Sequence, residues 1–111
     1  MPDALATDQL QPSRDPAGLA EDLCRALLTP RDAAEMARLL ADLCTPAEIR
    51  AFVERLHVAS LLDQDKLSYR EIAEQAGAST TTVVRIARFL REMPYEGYRL
   101  VLDRLKKKKS L

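Results

Sequence analysis

The densest polar chemistry in the chain lies between residues 79 and 88, where Ser79, Thr80, Thr81, Thr82, Arg85 and Arg88 follow one another closely. Hydroxyl and guanidinium groups in so short a stretch suit phosphate oxygens and the edges of nucleic-acid bases. Arg70 lies shortly upstream and carries the same charge. This set contains no general base and no metal donor. The chain has one histidine, His57, with no nucleophile at a usable spacing, so catalytic and metal-binding constellations are both absent from the reading. Cys24 and Cys44 lack metal-ligand or redox spacing and read as free, semi-buried thiols in a reducing compartment.

The elements that hold these side chains are legible around them. Ser68 with Glu71 three residues later forms a capping-box pattern for a first short helix. Ile72, Ala73 and Ala76 give that helix an apolar face of mostly small residues, which a steep helix–helix crossing requires. Gly77 supplies a left-handed residue to end it. Ser79 then caps a second helix, with Val83, Ile86, Ala87 and Leu90 recurring at helical spacing. The pattern over residues 68–91 is a helix-turn-helix, and it leaves Thr80, Thr81, Thr82, Arg85 and Arg88 on or near the outer face of the second helix. Ser79 and the backbone N–H groups at that helix start suit a phosphate.

Composition bounds the rest. At 111 residues the chain is one small domain, and with aromatics at 5% and no Trp its core has to be built from Ala, Leu, Val and Ile. Seventeen basic residues balance seventeen acidic ones, so distribution rather than net charge must decide any nucleic-acid role. The acids lie mostly before residue 66. Arg70, Arg85, Arg88 and Arg91 fall in the motif, and Lys106, Lys107, Lys108 and Lys109 fall at the end. No apolar run approaches membrane-spanning length and the start resembles no signal peptide, so the expected location is cytoplasmic, with no membrane partner.

Taken in order, residues 1–15 carry Pro2, Pro12 and scattered charges without apolar periodicity and read as a mobile N-terminal arm. Asp15-Pro16, Thr29-Pro30 and Thr45-Pro46 each look like a cap followed by a first-turn proline. They predict helices over about 16–28, from Thr29-Pro30 onwards through Leu43, and over about 46–64. In the third helix Val58, Ala59, Leu61 and Leu62 make the second half apolar nearly all round, which points to burial by a partner subunit. Pro94 is expected to start a sixth helix with Tyr98, Val101, Leu102 and Leu105 as its buried stripe. Residues 106–111 read as a basic C-terminal tail, and residues 16–105 as the helical dimerisation and DNA-binding domain.

Six helices in this order, with the motif fourth and fifth, resemble the Trp repressor family, and most of all its YerC/YecD-type branch. The resemblance runs from about Leu28 to Leu105 and is carried by Leu43-Cys44-Thr45-Pro46-Ala47-Glu48, by Arg55, and by the stretch from Ser68 to Arg85. It implies an all-α, six-helix Trp-repressor-like fold and an intertwined homodimer with two projecting reading heads. It also implies a ligand clamp: in the repressor a Thr hydroxyl and two Arg side chains hold the carboxylate of tryptophan, and the matching positions are Thr45, Arg55 and Arg85. The sequence departs from the pattern at Ile86, where the repressor has a glycine that leaves a slot for the indole. Tryptophan is therefore not the expected ligand, no cofactor is expected, and a smaller anionic effector stays open.

The function these readings point to is a dimeric, sequence-specific regulator binding double-stranded DNA, with Arg70, Ser79, Thr80, Thr81, Thr82, Arg85 and Arg88 as the contact set. The alternative is a protein-interaction module that uses the same face without specific DNA binding, which the neutral overall charge would suit. Enzymatic activity is not expected.

Overall fold

The computed structural model describes residues 16–110, and among them it shows six helices and no strand. The arm expected at residues 1–15 lies outside the described residues. The chain divides at Thr45 and Pro46 into two units.

The first unit holds α1 (Pro16–Leu27) and α2 (Ala33–Leu43). α1 starts at Pro16, and α1 and α2 both end close to where the sequence places their ends. The start of α2 differs. Thr29-Pro30 does not open it; Asp32 does, accepting from the N–H of Glu35 at 2.8 Å. A carboxylate three residues before Glu35 is a stronger cap than the upstream threonine. Thr29 instead donates its hydroxyl to the Ala26 carbonyl at 2.9 Å, closing the end of α1. None of the described side chains of this unit is buried; Leu23, Leu28 and Leu43 are 45%, 83% and 52% exposed. Cys24 is exposed rather than semi-buried, while Cys44 is half-buried.

The second unit holds α3 (Pro46–Gln64), α4 (Tyr69–Ala76), α5 (Thr80–Arg91) and α6 (Gly97–Ser110). Its core is Val58, Ala59, Leu61 and Leu62 of α3, Ile72 and Ala73 of α4, Val83, Ile86 and Ala87 of α5, and Leu102 of α6. This corrects one sequence expectation. The C-terminal half of α3 is apolar all round because α4, α5 and α6 of the same chain pack on it, so it needs no partner subunit for cover. The uncovered large apolar residues of α3 are Phe52, Val53 and Leu56, all ahead of Val58.

α6 also departs from expectation. It starts at Gly97, not Pro94, because Glu96 sits at φ +54° and interrupts the helical path. Of its expected stripe only Leu102 is buried, and Tyr98 is half-buried; Val101 and Leu105 are 44% and 46% exposed. The helix passes residue 105 without a break and carries Lys106 to Lys108. Ion pairs fix it to α3. Asp63, with a side chain only 10% exposed, accepts from Arg99 and pairs with Lys106 Nζ at 2.6 Å. The Arg99 guanidinium first, and then Lys106, hold the Asp63 carboxyl below its usual range against the opposing effect of burial.

The turn between α4 and α5 sets the angle of the motif. Gly77 lies at φ +68°, ψ +30°, and the N–H of Ala78 closes on the Ala73 carbonyl at 2.9 Å. A Cβ added at Gly77 would meet nothing within 4 Å, so a substitution there is opposed by backbone conformation alone. Gly77→Ala is accordingly expected to lower unfolding stability by about 1–2 kcal/mol, the left-handed penalty of an L side chain. Urea unfolding followed by circular dichroism measures this. A loss near zero would show that the turn relaxes out of the left-handed region.

Candidate nucleic-acid interface

Two well-capped helices build the site. At α4 the full capping box forms: Ser68 Oγ accepts from the Glu71 N–H at 3.1 Å, and the Ser68 N–H donates to Glu71 Oε1 at 2.9 Å. The Ser68 N–H, followed by its hydroxyl, holds the Glu71 carboxyl below its usual range. At α5, Ser79 Oγ accepts from the Thr82 N–H at 3.1 Å and donates to Thr82 Oγ1 at 3.0 Å. The hydroxyls of Ser79 and Thr82 are therefore engaged with each other in the cap, and Thr82 is half-buried.

Val83, Ile86 and Ala87 anchor α5 in the core, and that registers the opposite side of the helix outward. Thr80, Thr81, Arg85 and Arg88 are all exposed on α5, and Arg70 is exposed on α4. Thr81, Arg85 and Arg88 share a shallow groove with Val84, Phe89 and Met93. The Arg85 guanidinium lies over the Phe89 ring at 5.7 Å from its centroid, a cation–π contact that restricts where the charge points. Arg88 Nε is 3.8 Å from Glu92 Oε2 with both side chains about 70% exposed, a pair too open to hold the guanidinium against a phosphate. The end of α5 is tied down by Arg91, which donates to Tyr69 Oη at 3.1 Å and to the Leu62 carbonyl at 3.3 Å. The motif is thus a braced unit presenting hydroxyls and guanidinium groups on one helix face. No Asp or Glu occurs within α5 itself.

Residues 19–106 match the family described as Trp repressor protein. The chain belongs to the Trp repressor family. It is 36% identical over 86 residues to the uncharacterized protein YerC of Bacillus subtilis (strain 168), covering 78% of this chain and 81% of that protein. Its fold is similar to the crystal structure of a TrpR-like protein from Eubacterium eligens ATCC 27750, with a TM-score of 0.73 and 35% identity over 84% of this chain and 92% of the other. A second solved structure, from Staphylococcus aureus, gives a TM-score of 0.72 at 34% identity over 90% and 93% of the two chains. The all-α Trp-repressor-like fold expected from the sequence is the fold observed.

The residues that the resemblance implies as a carboxylate clamp lie on separate stretches of the chain. Thr45 ends the first unit and is exposed. Arg55, on α3, lies 5.8 Å from the centroid of the Phe52 ring. Arg85 lies in the α5 groove. Asp63, on the same helix as Arg55, is taken by Arg99 and Lys106. Ile86 is 3% exposed and is a core residue.

Sequence reading missed three features of the face. Val84 and Phe89 belong to the outer groove, and the helical period counted from Val83 and Ile86 places both of them there. Arg91 as a brace had no local signal, since its partners Leu62 and Tyr69 lie on other helices.

Proposed function

We propose that the protein is a sequence-specific DNA-binding regulator that acts as a homodimer and does not use tryptophan as corepressor. The observation that carries this is the outer face of α5: Thr80, Thr81, Arg85 and Arg88 exposed together on a helix whose other face is locked in the core. Membership of the Trp repressor family supports the same reading. Arg85 and Arg88 supply charge-assisted bonds to phosphates or guanine edges, and Thr80 and Thr81 supply hydroxyls to bases or backbone. Arg70 on α4 suits a flanking phosphate. Ser79 contributes by ordering the first turn of α5, whose N–H groups favour an anion. Thr82 supports the cap rather than the reading surface.

Selection of duplexes from a random library by the purified chain tests this function. The expected product is a pseudo-palindrome with half-site centres about one helical turn, roughly 34 Å, apart. Affinity for it should fall steeply with salt as counterions are released from neutralised phosphates. Failure to enrich any duplex, with binding absent even at low salt, would overturn the reading.

The homodimer rests on apolar surface the described chain leaves open. Phe52, Val53 and Leu56 of α3 are 48%, 63% and 40% exposed, and Leu23, Leu28 and Leu43 of the first unit are also open. Uncovered apolar side chains in such numbers on a small chain are the mark of an association surface. Sedimentation equilibrium at micromolar concentration is expected to give twice the chain mass of 12.4 kDa. Val53→Glu should shift it towards the single-chain mass. A folded monomer of the unmodified chain under those conditions would overturn the homodimer.

A further inference from the structure

Val84 is out of place for an exposed helix position. It is 49% exposed on α5, where packing sets no demand. A β-branched residue is also a poorer helix former than the straight-chain residues common at such sites. The other apolar residues of α5 have an evident role. Val83, Ile86 and Ala87 are buried, Leu90 packs against the core, and Phe89 carries the Arg85 guanidinium over its ring. Val84 instead stands open in the groove among Thr81, Arg85 and Arg88. It lies in the N-terminal half of the helix, the half that a helix-turn-helix directs at base edges.

An apolar side chain flanked by two guanidinium groups and a hydroxyl calls for an occupant that is anionic overall but offers one apolar point. Duplex DNA offers such a point in the major groove at one base alone, the C5-methyl of thymine. Valine suits it physically. Its χ1 is nearly fixed in a helix, so its methyls are held in place before contact and little freedom is lost on binding. The absence of any acid on α5 favours the polyanion over a protein partner.

We infer that Val84 reads the C5-methyl group of a thymine in each half-site, making it a specificity-determining residue of the DNA interface. The inference rests on the DNA-binding function proposed above. It requires a thymine at one fixed position of the half-site, whose methyl packs on Val84 while Arg85 and Arg88 hold the flanking phosphates or bases.

The test uses the full chain and the duplex it selects from a random library, with each thymine replaced in turn by deoxyuridine, which lacks only the methyl. In fluorescence anisotropy, one position per half-site is expected to lose about 4-fold in affinity, the worth of one buried methyl group. Val84→Ser should lower affinity for the thymine duplex and abolish the difference between thymine and deoxyuridine at that position. Val84→Thr, which keeps one methyl, should restore part of it. Circular dichroism should show all three chains equally folded, since the position is exposed. A duplex bound specifically but indifferent to deoxyuridine everywhere would overturn this inference and leave the proposed function standing. So would a deoxyuridine effect that persists unchanged in Val84→Ser. Failure to enrich any duplex would overturn both.

Discussion

Thr81→Glu is expected to abolish duplex binding, with a loss of roughly 100-fold or more per reading head. Thr81 is exposed in the first turn of α5 and shares its groove with Arg85 and Arg88. A carboxylate there would face phosphates at about 6 Å. At an effective dielectric of about 20 that repulsion is about 3 kcal/mol, which corresponds to roughly two decades in affinity. A second effect adds to it: a glutamate at 81 lies four residues before Arg85 and would pair with it, removing a cation from the interface. The folded state should not suffer, because an acid in the first turn of a helix is favoured by the helix dipole. Anisotropy titration at fixed salt measures the loss, and an unchanged melting temperature separates it from unfolding. Unchanged affinity in this variant would take α5 off the DNA.

The parts of this surface that were legible in the sequence share one property: their signals are local. Ser68 with Glu71, Gly77, and Ser79 before a hydroxyl-rich turn each specify their structure within four residues, and each is found as read. The α5 stripe was legible because one helical period separates inside from outside. Local pattern cannot say who covers an apolar residue. Val58, Ala59, Leu61 and Leu62 read as surplus hydrophobic surface, yet α4, α5 and α6 return to cover them, while Phe52 and Val53, earlier in the same helix, are left open. The start of α6 was misplaced for a related reason. Proline at 94 is a plausible first-turn residue, but the chain turns again at Glu96, and only the left-handed backbone there reveals it. Long-range charge was illegible too: the pairing of Asp63 with Arg99 and Lys106 joins residues that no sequence spacing relates.

L-Tryptophan is expected to show no binding heat with the unmodified protein and to leave its DNA affinity unchanged. The reason is Ile86. The resemblance places it where a glycine leaves room for an indole, and the structure places its side chain in the core at 3% exposure, with Val83 and Ala87 beside it in α5. A close-packed site does not accept a further ring system without displacing what is there, and overpacking by even a few methylenes costs about 1–3 kcal/mol. Ile86 is accordingly expected to act as a built-in strut, keeping α5 seated in the core without a ligand. Removing it should be correspondingly costly. Ile86→Ala is expected to lower unfolding stability by about 2–5 kcal/mol, and Ile86→Gly by about 1 kcal/mol more for the glycine within a helix. Against a total of about 5–15 kcal/mol for a domain, the glycine variant risks unfolding, so Ile86→Ala is the informative one. It should bind DNA more weakly than the unmodified chain at equal concentration, because α5 is less firmly held. Titration calorimetry and anisotropy, each with and without L-tryptophan, give the decisive readings. Micromolar tryptophan binding by the unmodified chain, or DNA affinity that rises when tryptophan is added, would show that Ile86 does not close the slot.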